Sequence, residues 1–221
     1  MQTIRVWDLP TRVFHWALAC AVVGLVTTAQ LGGGWMEWHM RLGYLVLSLL
    51  GFRLVWGVVG GYWSRFGVFV PSPARLLRFL RARTTWQDDA GHSPQGALSV
   101  LAMLLVLLAQ VGSGLFSDDE IATSGPLSRF ASGDWVSRAS EYHTSIGKYL
   151  LLGLIALHIA AILVYWLKKG RKLVPPMLHG DKVTSGGLQS SRDDFASRSF
   201  ALAIWLACAG LVALMVNWAQ S

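Results

Sequence analysis

The chain has 221 residues, of which 53% are hydrophobic and 14% are charged. Several apolar runs reach about 20 residues, the length that spans ~30 Å of hydrocarbon, so the composition excludes a soluble globular domain and indicates an integral membrane protein. The net charge of +7 does not indicate a nucleic-acid partner, because the basic residues are concentrated in particular loops between apolar runs.

Five apolar runs predict five transmembrane helices in an all-α membrane bundle. In chain order the runs are Val13–Leu31, Trp38–Val59, Ala97–Phe116, Ile146–Leu167 and Phe200–Ala219, each bounded by Gly, Pro or charged residues. The first run could instead be a secretory signal. We interpret it as a membrane helix, because it is long enough to span and has His15 near its start.

The distribution of charge predicts the orientation of the helices. Fourteen of the 19 Lys and Arg residues lie before the first run, between the second and third, or between the fourth and fifth. These segments share one side of the membrane if the five helices alternate in direction. The positive-inside rule then places the N-terminus in the cytoplasm and the C-terminus on the far side.

Four histidines lie inside or at the mouths of the apolar runs: His15, His39, His143 and His158. Ionisable side chains within a bilayer are costly, so their default interpretation is functional. A neutral imidazole is a good axial ligand for haem iron, and a haem ligated on both faces needs two imidazoles. The four residues therefore predict two haems. The alternative is interfacial hydrogen bonding, which suits the three histidines near helix ends but not His158.

Depth in the membrane predicts how the histidines pair. His158 follows His143 by 15 residues, which places it about 22 Å deeper along the fourth helix. His39 begins the second helix on the outer side, and His15 begins the first helix on the cytoplasmic side. We predict an outer haem between His39 and His143 and an inner haem between His15 and His158, forming a path for electrons across the bilayer.

Haem propionates need basic partners, and two arginines lie near the predicted ligands. Arg41 is two residues from His39, and Arg12 is three residues from His15. We predict Arg41 and Arg12 as propionate partners of the outer and inner haems respectively. Snorkelling of these side chains to lipid headgroups is the competing explanation.

Other small or titratable residues have more than one interpretation. Gly43 and Gly147 each follow an outer histidine by four residues, where a missing side chain either admits a flat macrocycle or permits close helix packing. His92 and His179 lie in polar loops beside Gly and Pro and are interpreted as solvated. No C-x-x-C-H segment occurs, which excludes the known attachment motif of c-type haem.

Several segments resemble those of one protein family. They are residues 6–16 (VWDLPTRVFHW), 53–57 (RLVWG) with 64–66 (SRF), 91–94 (GHSP), 115–120 (LFSDDE), 143–158 and 176–180 (PMLHG). Taken together, over about Val6 to Lys182, the chain resembles the bacterial cytochrome b561 proteins, in the branch that includes the cytochrome b subunit of nickel–iron hydrogenases.

This resemblance implies a four-helix core with two bis-histidine b haems in the bacterial inner membrane, so that the far side, where the charge distribution puts the C-terminus, is the periplasm. It implies electron transfer between the quinone pool and a periplasmic or membrane redox partner, such as a c-type cytochrome or a dehydrogenase subunit. We accordingly predict a di-haem domain over residues 1–182, a cytoplasmic linker over 183–199 and an extra transmembrane helix over 200–221.

One spacing departs from the family pattern. The family more often separates the two histidines of the fourth helix by 14 residues, whereas His143 and His158 are 15 apart. One extra residue rotates a ligand by about 100° around a regular helix. A π-bulge near Gly147 or Gly153 would absorb it.

Two other functions remain open from the sequence. An outer-face reductase or oxidase of a small substrate, such as a metal chelate or superoxide, would need an open haem edge. A histidine-based metal transporter is less favoured, because transport sites usually lie near the midplane and the predicted pairs lie at two depths. The loop Ser117–Ser140, which contains Asp118, Asp119 and Glu120, either docks a partner with a basic face or is an ordinary solvated loop.

Overall fold

The computed structural model describes residues 2–81, 83, 91–184 and 187–221, and most of them are helical. In chain order the elements are strand β1 (Gln2–Arg5), helices α1 (Leu9–Leu31), α2 (Trp35–Val59), α3 (Phe66–Phe69), α4 (Pro73–Leu80), α5 (Pro94–Phe116), α6 (Gly133–Glu141), α7 (Gly147–Lys169) and α8 (Val174–His179), strand β2 (Asp181–Thr184) and helix α9 (Phe195–Gln220). A π-helical turn, Tyr142–Ile146, joins α6 to α7.

Five helical segments are long and apolar enough to cross a membrane: α1, α2, α5, the stretch Gly133–Lys168 and α9. The predicted all-α membrane bundle is therefore confirmed. The helices begin earlier than the apolar runs, because polar residues form their first turns. The fourth segment begins at Gly133, where the Ser132 hydroxyl accepts a hydrogen bond from Trp135 N at 3.4 Å, instead of at Ile146.

A small sheet adds to the predicted all-α architecture. Strand β1 pairs antiparallel with β2, in register from Gln2 opposite Thr184 to Arg5 opposite Asp181. Arg5 Nε also donates to the Asp181 carboxylate at 2.6 Å. Strands of four residues that lie far apart in the sequence give no local hydrophobic alternation, which explains why the sequence did not indicate them.

The chain divides into two compact units. The first unit contains Met1–Phe14, Arg53–Ala102 and Ala156–Ile204, and the second contains His15–Phe52, Met103–Ile155 and Trp205–Ser221. The core of the first unit includes a cluster of the buried side chains Ile4, Val6, Trp7 and Trp63.

The described part of the predicted linker, 183–184 and 187–199, contributes contacts to the first unit. Ser191 N donates to Arg5 O at 2.7 Å, and Ser191 Oγ accepts a hydrogen bond from Trp63 N at 3.2 Å. Asp193 binds Arg5 and receives the Leu9 N–H at 3.1 Å. These contacts tie the linker to the start of the chain, and the division into three domains stays a prediction.

Asp8 anchors the first turn of α1 within the first unit. Its carboxylate has 0% exposure and accepts hydrogen bonds from Thr11 N and Ser64 Oγ, both at 2.8 Å, and from Trp56 Nε1 at 3.3 Å. The Ser64 and Thr11 hydroxyls lie 2.7 Å apart. This buried cap satisfies donors from three segments of the chain, and a carboxylate at a helix start also interacts favourably with the helix dipole.

We expect Asp8→Ala to lower the free energy of unfolding by about 1–3 kcal/mol, because buried donors lose their acceptor. Asp8→Asn keeps a side-chain oxygen for the cap and should lose less. The free energies can be measured by reversible unfolding in mixed micelles, followed by tryptophan fluorescence. Equal stability of Asp8→Ala and the wild type would show that the cap is dispensable.

Candidate functional site

His39 and His143 lie together in the second unit. Their ring centroids are 6.1 Å apart and their planes are inclined by 89°. A metal ion bonded to one nitrogen of each ring at ~2 Å places the two ring centres about 6 Å apart. The structure therefore brings the predicted outer pair together at a separation that fits one iron atom between the rings.

Backbone carbonyls orient both imidazoles. Nδ1 of His39 lies 3.0 Å from Leu25 O, and Nδ1 of His143 lies 2.8 Å from Gln110 O. Because a carbonyl oxygen only accepts, each Nδ1 carries the proton and donates it. The lone pair of each ring is then on Nε2, the atom that would bind a metal. The hydrogen bond from Nδ1 to the carbonyl fixes the tautomer and the orientation of each ring.

The π-helical turn carries His143 and ends directly before Gly147. The histidine spacing left open whether a bulge near Gly147 or Gly153 absorbs the extra residue, and the turn is found beside Gly147. A π-turn contains one residue more than an α-turn, which matches the one residue by which the spacing exceeds 14. Gln110 Nε2 donates to His143 O at 2.8 Å and ties this turn to α5.

Glycines line the outer pair in different ways. A Cβ on Gly114 would lie 2.8 Å from His143 Cε1, and one on Gly147 would overlap Gln110 Oε1. Gly147 therefore fits the close-packing interpretation. A Cβ on Gly43 would meet no atom within 4 Å, so close packing does not explain this glycine, and the approach of a macrocycle there stays a prediction.

The other two predicted ligands belong to different units. His15 lies in the second unit, where its ring contacts Trp16 edge-on at 5.1 Å. His158 lies in the first unit, where it interacts electrostatically with His92. The pairing of His15 with His158 stays a prediction.

The two arginines predicted to bind propionates already have partners in the protein. Arg12 has a side chain that is 12% exposed, with Nη2 3.7 Å from Asp193 Oδ2 and Nη1 donating to Leu178 O at 2.6 Å. These contacts replace the snorkelling explanation for Arg12. Arg41 forms an ion pair with Glu37 one turn earlier in α2. Propionate binding by either arginine stays a prediction.

The interpretation of His92 as a solvated residue is wrong. The residue is half-buried, and its ring contacts Trp7 at 4.6 Å and Phe69 at 5.0 Å between centroids. Its Nδ1 is buried without a hydrogen-bond partner among the residues that the structure describes. Burial, with the nearby charge of Arg53, lowers the pKa of His92 to about 3, so the ring is neutral near pH 7. The segment 91–94 signalled this position only as part of the family resemblance.

The acidic loop after α5 is organised by its own carboxylates. Asp119 accepts hydrogen bonds from the backbone N–H groups of Ile121, Ala122 and Thr123 at 2.8–3.0 Å, and these bonds lower its pKa to about 2. Asp118 accepts the N–H of Glu120 at 2.7 Å. Two of the three acidic side chains therefore hold the loop backbone, which leaves Glu120 as the carboxylate best placed to meet a partner.

Comparison with known proteins identifies a family and a distant relative. The model of a family described as prokaryotic cytochrome b561 matches residues 6–180. The chain is 21% identical over 217 residues to a protein of Rhizobium leguminosarum bv. viciae described as "Probable Ni/Fe-hydrogenase B-type cytochrome subunit", and the match covers 82% of this chain and 90% of that protein. No solved structure matches the chain significantly.

Proposed function

We propose that this chain, which belongs to the prokaryotic cytochrome b561 family, carries electrons across the membrane through two bis-histidine b haems. The observation that carries the proposal is the His39–His143 pair, with rings 6.1 Å apart and Nδ1 atoms bound to backbone carbonyls. Haem b supplies the one-electron chemistry when it is bound. The protein supplies the ligands and a surrounding of low polarity.

Ligation by two histidines would favour electron transfer over chemistry at the iron. His39 and His143 would occupy the coordination positions that a substrate would otherwise need. The carbonyls of Leu25 and Gln110 hold the two rings in one orientation, which would support ligation by both. A metal transporter gains no support from the described ranges, in which no cluster of three or more His, Cys, Asp or Glu is suited to hold a metal ion.

The second haem of the proposal is held by His15 and His158. The pair is supported by depth in the sequence: His15 lies near the predicted cytoplasmic start of the first membrane helix, and His158 follows the outer ligand His143 by about 22 Å of helix. Fourteen basic residues in the segments on the His15 side support an orientation with the N-terminus in the cytoplasm and the C-terminus in the periplasm. With the two haems bound by these pairs, the protein would supply a path for electrons between the periplasmic and cytoplasmic sides.

The proposed partners are a quinone and a second redox protein. A quinone pool dissolved in the bilayer can exchange electrons with either haem. The similarity to a protein named as a Ni/Fe-hydrogenase B-type cytochrome subunit supports a dehydrogenase subunit as the other partner, and a c-type cytochrome would have the same one-electron chemistry. The bacterial inner membrane is the compartment in which these partners meet.

Counting haems on the purified full chain tests the proposal. We expect a pyridine haemochrome assay to give two b haems per polypeptide, and reduced-minus-oxidised spectra to show reduction of both by a short-chain quinol. One haem per polypeptide would contradict the proposed ligation of a second haem by His15 and His158. A chain that binds no haem when haem is supplied during expression would contradict the proposal itself.

We expect Glu120→Lys to slow electron exchange with a basic c-type cytochrome several-fold at low ionic strength, because the substitution replaces attraction at the loop with repulsion. The difference should shrink as salt is added. Stopped-flow absorbance at several salt concentrations measures these rates, and Glu120→Gln should give an intermediate effect. Rates that match the wild type at every ionic strength would remove the loop from the docking surface.

A further inference from the structure

Arg53 is a buried cation of α2 within the first unit. Only 4% of its surface is exposed, and its guanidinium carbon lies over the rings of Phe66 at 4.8 Å and Phe69 at 5.5 Å. Its Nη1 is buried and has no hydrogen-bond partner in the described part of the chain. A guanidinium stays charged in a protein, so a position like this requires an anion.

Asp8 supplies only part of the negative charge that Arg53 requires. It interacts electrostatically with Arg53, but its oxygens already accept hydrogen bonds from Thr11, Ser64 and Trp56. The ion pairs found among the described residues do not include one between Arg53 and Asp8. The donor Nη1, unpaired within the described residues, therefore indicates that a further acceptor binds beside Arg53.

His92 belongs to the same cluster. Its ring contacts Phe69, the side chain that also faces the Arg53 guanidinium, and its Nδ1 is a second buried polar atom without a hydrogen-bond partner in the described ranges. The groups that act electrostatically on His92 are Arg53, Arg75, His158 and Lys182. The cluster thus combines several basic groups with one of the predicted haem ligands.

We propose that Arg53 and His92 bind a propionate carboxylate of the haem that His158 holds. Arg53 supplies the charge, and His92 supplies a neutral second donor through Nδ1. This inference rests on the proposed function, which brings a haem with two carboxylates to His158. It also gives the inner propionate a different partner from Arg12, whose guanidinium is bound to Asp193 and Leu178.

An anionic lipid headgroup offers the same chemistry through its phosphate, but the position of Arg53 favours the propionate. The guanidinium lies among aromatic rings, and 4% exposure of the residue leaves little surface for a bulky headgroup. A carboxylate on a planar macrocycle held by His158, which belongs to the same unit as Arg53, needs no such access.

Redox titration of the purified holoprotein tests the inference. The signal of the His158 haem is identified as the one that His158→Ala removes. We expect Arg53→Met to shift the reduction potential of this haem downward, because loss of a buried positive charge disfavours the added electron, and to leave the potential of the other haem unchanged. Arg53→Lys keeps the charge, so its potential should lie close to the wild-type value. His92→Phe removes a hydrogen-bond donor without removing charge and should give a smaller downward shift.

Arg65→Met is the matched control. Arg65 lies in the same unit and carries the same charge, but it is exposed, so solvent screens it and we expect no shift. An unchanged potential of the His158 haem in both Arg53→Met and His92→Phe would overturn the inference. If Arg53→Met does not fold, as shown by loss of both haems, His92→Phe still decides the question.

Three outcomes separate the explanations. A wild-type potential that depends on whether the nanodisc lipid is phosphatidylcholine alone or includes phosphatidylglycerol would assign the anion to lipid and overturn the propionate. If the wild type and His158→Ala show the same haem signals, no haem is bound by His158, and the proposed function is contradicted. Two haems with potentials insensitive to Arg53 and His92 would contradict this inference alone.

Discussion

Substituting His143 with alanine is expected to remove one of two b haems and to leave the other in place. His143 supplies one nitrogen of a pair whose ring centroids are 6.1 Å apart, and one remaining imidazole binds haem far more weakly than two. The pyridine haemochrome of the purified variant should fall to about half the wild-type value per polypeptide, since one of two bis-histidine sites is lost. His39→Ala should have the same effect, and the combined variant should lose no more haem than either alone.

Exposed His179 provides the control for this experiment. It lies at the end of α8 and is exposed, so His179→Ala should keep both haems. His158→Ala should remove the haem that His143→Ala keeps, and spectra of the two variants should add up to that of the wild type. Loss of both haems in every single variant would indicate that the ligands act through folding and not through separate sites.

The sequence predicted those features that depend on local pattern. Apolar length gave all five membrane helices, because about 20 residues are needed to span the hydrocarbon whatever they pack against. Depth along the helices predicted that His39 meets His143, since rise per residue is fixed by helix geometry. The one-residue excess in spacing indicated where a bulge would lie, near Gly147 or Gly153, but not whether one forms.

Features that depend on contacts between distant parts of the chain were not predicted. The partners of β1 and of Arg12 lie near the other end of the chain, at residues 181–184, Leu178 and Asp193, and no local pattern connects them. His92 follows Gly91 in a polar stretch, where a histidine usually meets solvent. Its burial results from the rings of Trp7 and Phe69, which only the fold brings beside it.

Gly114→Ala adds one methyl group beside His143 and is expected to weaken haem binding at the outer site. The new Cβ would lie 2.8 Å from Cε1 and 3.1 Å from Nδ1 of His143, closer than van der Waals contact permits. The imidazole cannot rotate away freely, because Nδ1 donates to Gln110 O at 2.8 Å. Relief of the clash therefore disturbs either this hydrogen bond or the position of Nε2, and contacts of this kind are worth about 10–100-fold in metal affinity.

Gly112→Ala separates this steric effect from a change in the helix itself. Both glycines lie within α5, so each substitution gains similar helix propensity, up to about 1 kcal/mol. A Cβ on Gly112 would meet nothing within 4 Å, and this variant should keep both haems. In Gly114→Ala we expect the outer haem to be partly lost on dilution, or to dissociate faster to apomyoglobin, while the inner haem keeps its spectrum. Identical haem retention in the two variants would mean that His143 is not held as tightly as its contacts with Gln110 indicate.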